Sequence, residues 1–108
     1  MAETPKPSLT ELMESAKKMQ DSMQKAQQRI AKLELKGVAG GGLVSVTMTG
    51  DHKVKQFHIS QEALDEGTEV LEDLCKAACN DALARVEKAA QEEMMKITKE
   101  LGLPDMPA

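Results

Sequence analysis

Apolar residues recur at Leu9, Leu12, Ala16, Met19, Met23, Ala26, Ile30 and Leu33, with spacings that alternate between three and four. That is the heptad stripe of a helix covered along one seam. Most of the residues between are Lys, Gln, Asp, Glu or Ser. The stripe is therefore narrow, and it predicts a rod that lies against another helix, from this chain or from a partner. Ser8 and Glu11 have the spacing of a capping box, which places the helix start near Leu9. At about 1.5 Å per residue the rod is roughly 35 Å long.

After the rod the period changes to two. Val44, Val46 and Met48 fall on one face, with Leu43, Ser45, Thr47 and Thr49 on the other. Lys55, Phe57 and Ile59 share a face of a following strand, and Leu33 and Leu35 a face of a preceding one. The handover from helix to strand falls between Ile30 and Leu35. Gly37 and the run Gly40-Gly41-Gly42 are expected to form the first link, and Gly50-Asp51 the second. Three antiparallel strands are the simplest topology, with Phe57 expected in the core. The glycine run does not read as a phosphate-cradling loop, because no GxxxxGK[ST] pattern follows and the next element is a strand.

Ser60 to Gly67 is polar, with a short helical turn expected around Glu62 to Leu64. A second helical pattern then runs from about Thr68 to Leu101 on Leu71, Leu74, Cys75, Ala78, Ala82, Val86, Ala90, Met94, Ile97 and Leu101. Its Ala-rich stretch, 77–90, admits a close neighbour, and Asn80 and Asp81 interrupt it with hydrogen-bonding groups. Gly102 and Pro104 supply a stop. Residues 1–7 are expected to be a flexible N-terminus and 103–108 a short tail, with 1–108 forming one domain. The predicted fold class is α+β: a long N-terminal helix, a three-stranded antiparallel sheet and a long C-terminal helix. So small a sheet cannot close a large core, and its free face or edge calls for a second copy of the chain.

Charge refines this picture. The chain carries 14 Lys and Arg against 18 Asp and Glu, a net charge of −4, which on its own disfavours a nucleic-acid partner. Position matters more than the sum. Between Ala16 and Lys36 stand Lys17, Lys18, Lys25, Arg29, Lys32 and Lys36 against only Asp21 and Glu34. Lys53 and Lys55 follow, and the last helix mixes Arg85, Lys88, Lys96 and Lys99 with acids. Glu62, Asp65, Glu66, Glu69, Glu72 and Asp73 form an uninterrupted acidic run, favoured in part by the start of the last helix. Lys17, Lys18, Lys25, Arg29 and Lys32 are thus the candidates for contact with DNA phosphates. The same Lys and Gln content also suits a rod that is simply kept soluble. No helix-turn-helix, RNP motif or zinc finger is visible, so readout of bases is not expected.

Other chemistry finds little support. With one Phe and no Tyr or Trp, there is no stacking platform. Cys75 and Cys79 share a helix face and read as small buried residues, not as a disulfide or redox pair. His52 in a turn and His58 in a strand have no metal-site spacing with them. No HExxH, GxSxG or P-loop occurs, so no catalytic residue, metal or cofactor is proposed. No apolar run reaches membrane-spanning length and no secretion signal opens the chain, which points to the cytoplasm, with no membrane partner and no small-molecule substrate.

Several stretches taken together resemble a known family. These are Gly41-Gly42-Leu43-Val44-x-Val46, then Gly50 and Ile59, then Leu71-Glu72-Asp73-Leu74 and Ala78-x-Asn80-Asp81-Ala82. The Met- and Gln-rich first helix and the tail Leu103-Pro104-x-Met106-Pro107 fit the same pattern. From about Leu12 to Pro107 the chain resembles the YbaB/EbfC family of bacterial nucleoid-associated proteins. The resemblance implies a tweezer-like homodimer that binds double-stranded DNA through its helical arms with weak or no sequence preference. It also implies a part in nucleoid organisation and gene regulation, and no enzymatic activity. The family's core or dimer positions fall on Val44, Val46, Phe57, Ile59, Leu71, Leu74 and Ala78, while the arm bases match only in kind. Two departures stand out: Cys79 replaces a bulkier, often aromatic residue, and the acidic balance leaves a modest cationic footprint. The alternative from another class is a structural or adaptor protein whose arms grip protein partners.

Overall fold

The computed structural model describes residues 8–100. The expected flexible start at 1–7, the end of the apolar band at Leu101, the Gly102–Pro104 stop and the tail at 103–108 lie outside the described residues. The elements in order are α1 (Leu9–Lys32), β1 (Glu34–Ala39), β2 (Val44–Thr49), β3 (Val54–Ile59), α2 (Gln61–Asp65) and α3 (Thr68–Glu100). The class is the predicted α+β arrangement, and the expected turn at Glu62–Leu64 lies inside α2.

The capping box at the start of α1 is formed: the Glu11 N–H donates to Ser8 Oγ at 3.1 Å, and the Ser8 N–H donates back to Glu11 Oε2 at 3.4 Å. The seam of α1 is covered unevenly. Ala26 is fully buried and Ile30 half-buried, whereas Met23 and Met19 are exposed to a similar degree and Leu12 and Leu9 more so. The helix that covers the inner end is α3 of the same chain. Buried Ile97 and the Arg29–Glu93 ion pair mark this contact. Since α1 enters the sheet where α3 leaves it, the two run in opposite directions and form one arm. The described chain is correspondingly long, 78 × 24 × 16 Å, with a radius of gyration of 21.1 Å. A compact chain of 100 residues has about 13 Å.

The sheet has strand order β1-β2-β3, antiparallel throughout. The register places Ala39, Val44 and Ile59 in one cross-strand row, and Gly37, Val46 and Phe57 in the next. These rows face α3, which lies over β1 and β2. Gly37 was expected in a link but lies within β1, buried beneath that helix. A Cβ there would overlap the Ala78 carbonyl oxygen and the Ala82 backbone nitrogen. The link is instead the triple glycine 40–42, each at positive φ. Gly50 has a similar role at the other end of the sheet, where a Cβ would strike the Ile30 carbonyl. Its N–H donates to the Leu33 carbonyl at 3.0 Å, which docks the β2–β3 turn onto the end of α1.

The core is thin. Val44, Val46, Met48, Ala78, Ala82 and Val86 form its centre, with Leu71, Leu74, Cys75, Cys79 and Leu83 half-buried around it. Valine is the largest residue that is fully buried. Phe57 corrects the expectation of a core position: it is 40% exposed, its neighbour in the next row, Ile59, is 36% exposed, and β3 is exposed along its whole length. They point to the correct side of the sheet, but α3 does not reach across to β3. The ladder slips between Thr47 and Met48, which leaves Lys55 out of the register that holds Phe57 and Ile59 on one face, and its ammonium pairs with Glu34 of β1.

Candidate nucleic-acid interface

All five candidate bases lie on the exposed surface of α1. At 100° per residue, Lys18, Lys25, Arg29 and Lys32 fall within roughly 60° of one another and span about 21 Å along the helix. Lys17 is set off from this line by about 100°, and Asp21 borders it. The centre of the line lies about 130° from that of the apolar seam, and Arg29, at the edge nearer the seam, is the member that meets α3. Most of the acidic run, from Glu62 to Asp73, lies on α2 and the first turns of α3, while the arm is built from α1 and the last turns of α3. A negative sum thus conceals a separation of charge along an elongated molecule.

Arg29 is partly engaged. Its Nε lies 3.3 Å from Glu93 Oε2, and Lys96 Nζ lies 3.4 Å from the other carboxylate oxygen. Partial desolvation works against ionisation of Glu93, but hydrogen bonds and charge from Lys96 and Arg29 together outweigh it and hold the carboxyl below its usual range. The carboxylate ties the two helices of the arm together and offsets part of the charge of two bases.

Tertiary contact also gathers bases that are remote in sequence. Lys36 of β1 and Arg85 and Lys88 of α3 line one groove with Glu34, Leu35, Ala89 and Glu92. Periodicity alone does not bring them together, since it fixes the face of each element and not their relative placement.

Asp81 has a structural task. Its Oδ2 accepts from the Val38 N–H at 3.0 Å and from Arg85 Nε at 3.1 Å. The Val38 N–H, then Arg85, hold the Asp81 carboxyl below the usual carboxylate range. Val38 lies on the outer edge of β1, so the side chain from α3 occupies a donor that an added strand would need. The edge at β3 has no such cover from α3. Of the predicted core or dimer positions, Val44, Val46 and Ala78 are buried, Leu71 and Leu74 are half-buried, and Phe57 and Ile59 are exposed beside them. Cys75 and Cys79 are free thiols, half-buried instead of buried.

Three comparisons with known proteins bear on this arrangement. The profile of the YbaB/EbfC DNA-binding family matches residues 6–101. Nucleoid-associated proteins from two strains of Legionella pneumophila, Corby and Paris, are each 44% identical over 96 residues, covering 89% of this chain and 86% of theirs. The crystal structure of an uncharacterized protein from Helicobacter pylori superimposes with a TM-score of 0.73, over 85% of this chain and 98% of that one. At 20% identity that likeness is one of fold.

Proposed function

The chain belongs to the YbaB/EbfC DNA-binding family, and from that premise we propose that it is a non-enzymatic homodimer that binds double-stranded DNA with little or no sequence preference. Its place is the bacterial nucleoid in the cytoplasm, where it contributes to DNA organisation and to gene regulation. In this reading the whole chain acts as one domain, and the arm of each subunit supplies the contacts. The observation that carries it is the line of Lys18, Lys25, Arg29 and Lys32 on an exposed rod, with Lys17 beside it and no base-reading motif. Phosphates are the ligands that such a line fits, and they are the same on every sequence.

The exposed Met19 and Met23 favour a second reading. With Ala16, Gln20, Gln24 and Gln27 they line a shallow groove on α1, which would suit the helix of a protein partner. Salt separates the two. Replacing Lys17, Lys18, Lys25 and Arg29 together by Gln is expected to weaken binding about equally on unrelated duplexes in a mobility-shift titration. The wild type is expected to lose roughly tenfold or more in affinity between about 50 and 200 mM salt. Unchanged affinity in the quadruple variant would remove the arm from the interface, and an absence of duplex binding at low salt would favour the protein-partner reading.

A further inference from the structure

The face of the sheet turned away from α3 is open at Lys36, Gln56 and His58, and its chemistry is different. Lys36, Thr47 and Gln56 stand in one cross-strand row, and Val38, Ser45 and His58 in the next. Lys36, Ser45, Thr47, Gln56 and His58 line a groove of about 250 Å³. Every one of these five side chains offers a hydrogen-bond donor, and none is a carboxylate. The nearest acid along β1 is Glu34, and Lys55 engages it. Lys36 enters no ion pair among the described residues. It also borders the groove that holds Arg85 and Lys88.

These features select a ligand. A donor-rich, acid-free surface fits an anion with several acceptor oxygens. In these two rows Val38 is the one large apolar side chain, so they lack the apolar centre that a subunit interface needs. The face carries no Phe, Tyr or Trp, since the only Phe is on the α3 side, and the single imidazole of His58 does not make a platform for successive bases of a single strand. It also continues the basic line of the arm: Lys36 follows Lys32 by four positions, a reach of at most about 14 Å.

We propose that the open sheet face around Lys36, Gln56 and His58 is a second phosphate-binding surface, which seats the backbone of a duplex also held by the arm. Lys36 supplies the charge. Gln56, His58 and the half-buried Thr47 hydroxyl supply directed donors, and buried Ser45 forms the floor of the groove. The ligand is a phosphodiester of double-stranded DNA, so the inference rests on the DNA-binding reading above. It enlarges the footprint from a line along one helix to a track that runs from the arm onto the body.

The test is equilibrium binding of the full-length protein to a fluorescent duplex over a salt series. The Lys36→Gln/His58→Gln double variant is compared with wild type and with Lys76→Gln, an exposed change on α3. The double variant is expected to bind severalfold more weakly on unrelated sequences, with the slope of log affinity against log salt reduced by about one. Lys76→Gln is expected to match the wild type. In heteronuclear NMR the amides of Lys36, Thr47, Gln56 and His58 are expected to shift as duplex is added. If the wild type binds and the double variant keeps its affinity and slope, the sheet face is not a contact and only this inference falls. If sedimentation shows that the double variant has changed its association state, the face belongs to subunit contact and the inference is again overturned. If the wild type does not bind duplex at all, the DNA-binding reading fails with it.

Discussion

Gly37 illustrates how one residue sets the distance between two layers. Its missing side chain lets the α3 backbone at Ala78 and Ala82 rest directly on β1. Small residues on the helix complete the contact, and both alanines are fully buried. In Gly37→Ala the new methyl meets backbone atoms, which cannot turn aside as a flexible side chain does. The expected cost is about 3 kcal/mol, the upper end for overpacking. In a chain of this size that lowers the melting temperature by on the order of 15 °C, measurable by circular dichroism. A melt within a few degrees of wild type would mean that α3 can ride away from the sheet without penalty. The sequence marked this glycine as special for the wrong reason. Nearby Gly40-Gly41-Gly42 suggested a link, and only the approach of α3 shows that Gly37 is needed for contact.

At the scale of elements, the arm is a pair of antiparallel helices with a shared carboxylate. Glu93 faces Arg29 from α1 and Lys96 from its own helix, at 3.3 and 3.4 Å. Such partly exposed pairs contribute little to stability. Their larger effect is on the field of the arm, because one acid offsets charge that would otherwise meet phosphates. Glu93→Gln is therefore expected to leave the melting temperature nearly unchanged and to raise affinity for duplex DNA severalfold at low salt. The gain should fade as salt screens the arm. An affinity equal to or below that of wild type would indicate that Glu93 serves to orient Arg29 towards its ligand.

The whole molecule is an arm joined to a body whose core is too thin to enclose its own sheet. Phe57 and Ile59 occupy the same rows as buried Val46 and Val44, yet remain uncovered because α3 stops at β2. The opposite edge is occupied by Asp81 at Val38. A second copy of the chain is thus expected to sit on the β3 side, which would bring two arms to one duplex. Phe57→Glu should preserve the helical circular dichroism signal and yield monomers in sedimentation equilibrium. Duplex affinity should then fall by about a hundredfold, as two linked contacts become independent. A dimer that persists in Phe57→Glu would place the subunit contact elsewhere.

The sequence by itself determined the elements, their order and the separation of basic and acidic segments. These depend on local periodicity, capping and turn chemistry, which the backbone obeys wherever the element comes to lie. Ser8 with Glu11, the alternation from Val44 to Met48 and the glycine run were all legible for that reason. It also carried the family resemblance that the comparisons establish. Only the tertiary structure decided how far α3 extends across the sheet. That reach left Phe57 exposed, set Gly37 under a helix, placed Asp81 at the β1 edge and aligned Lys36, Gln56 and His58 on an open face. Each of these depends on the relative placement of two elements, and neither element's own period specifies it.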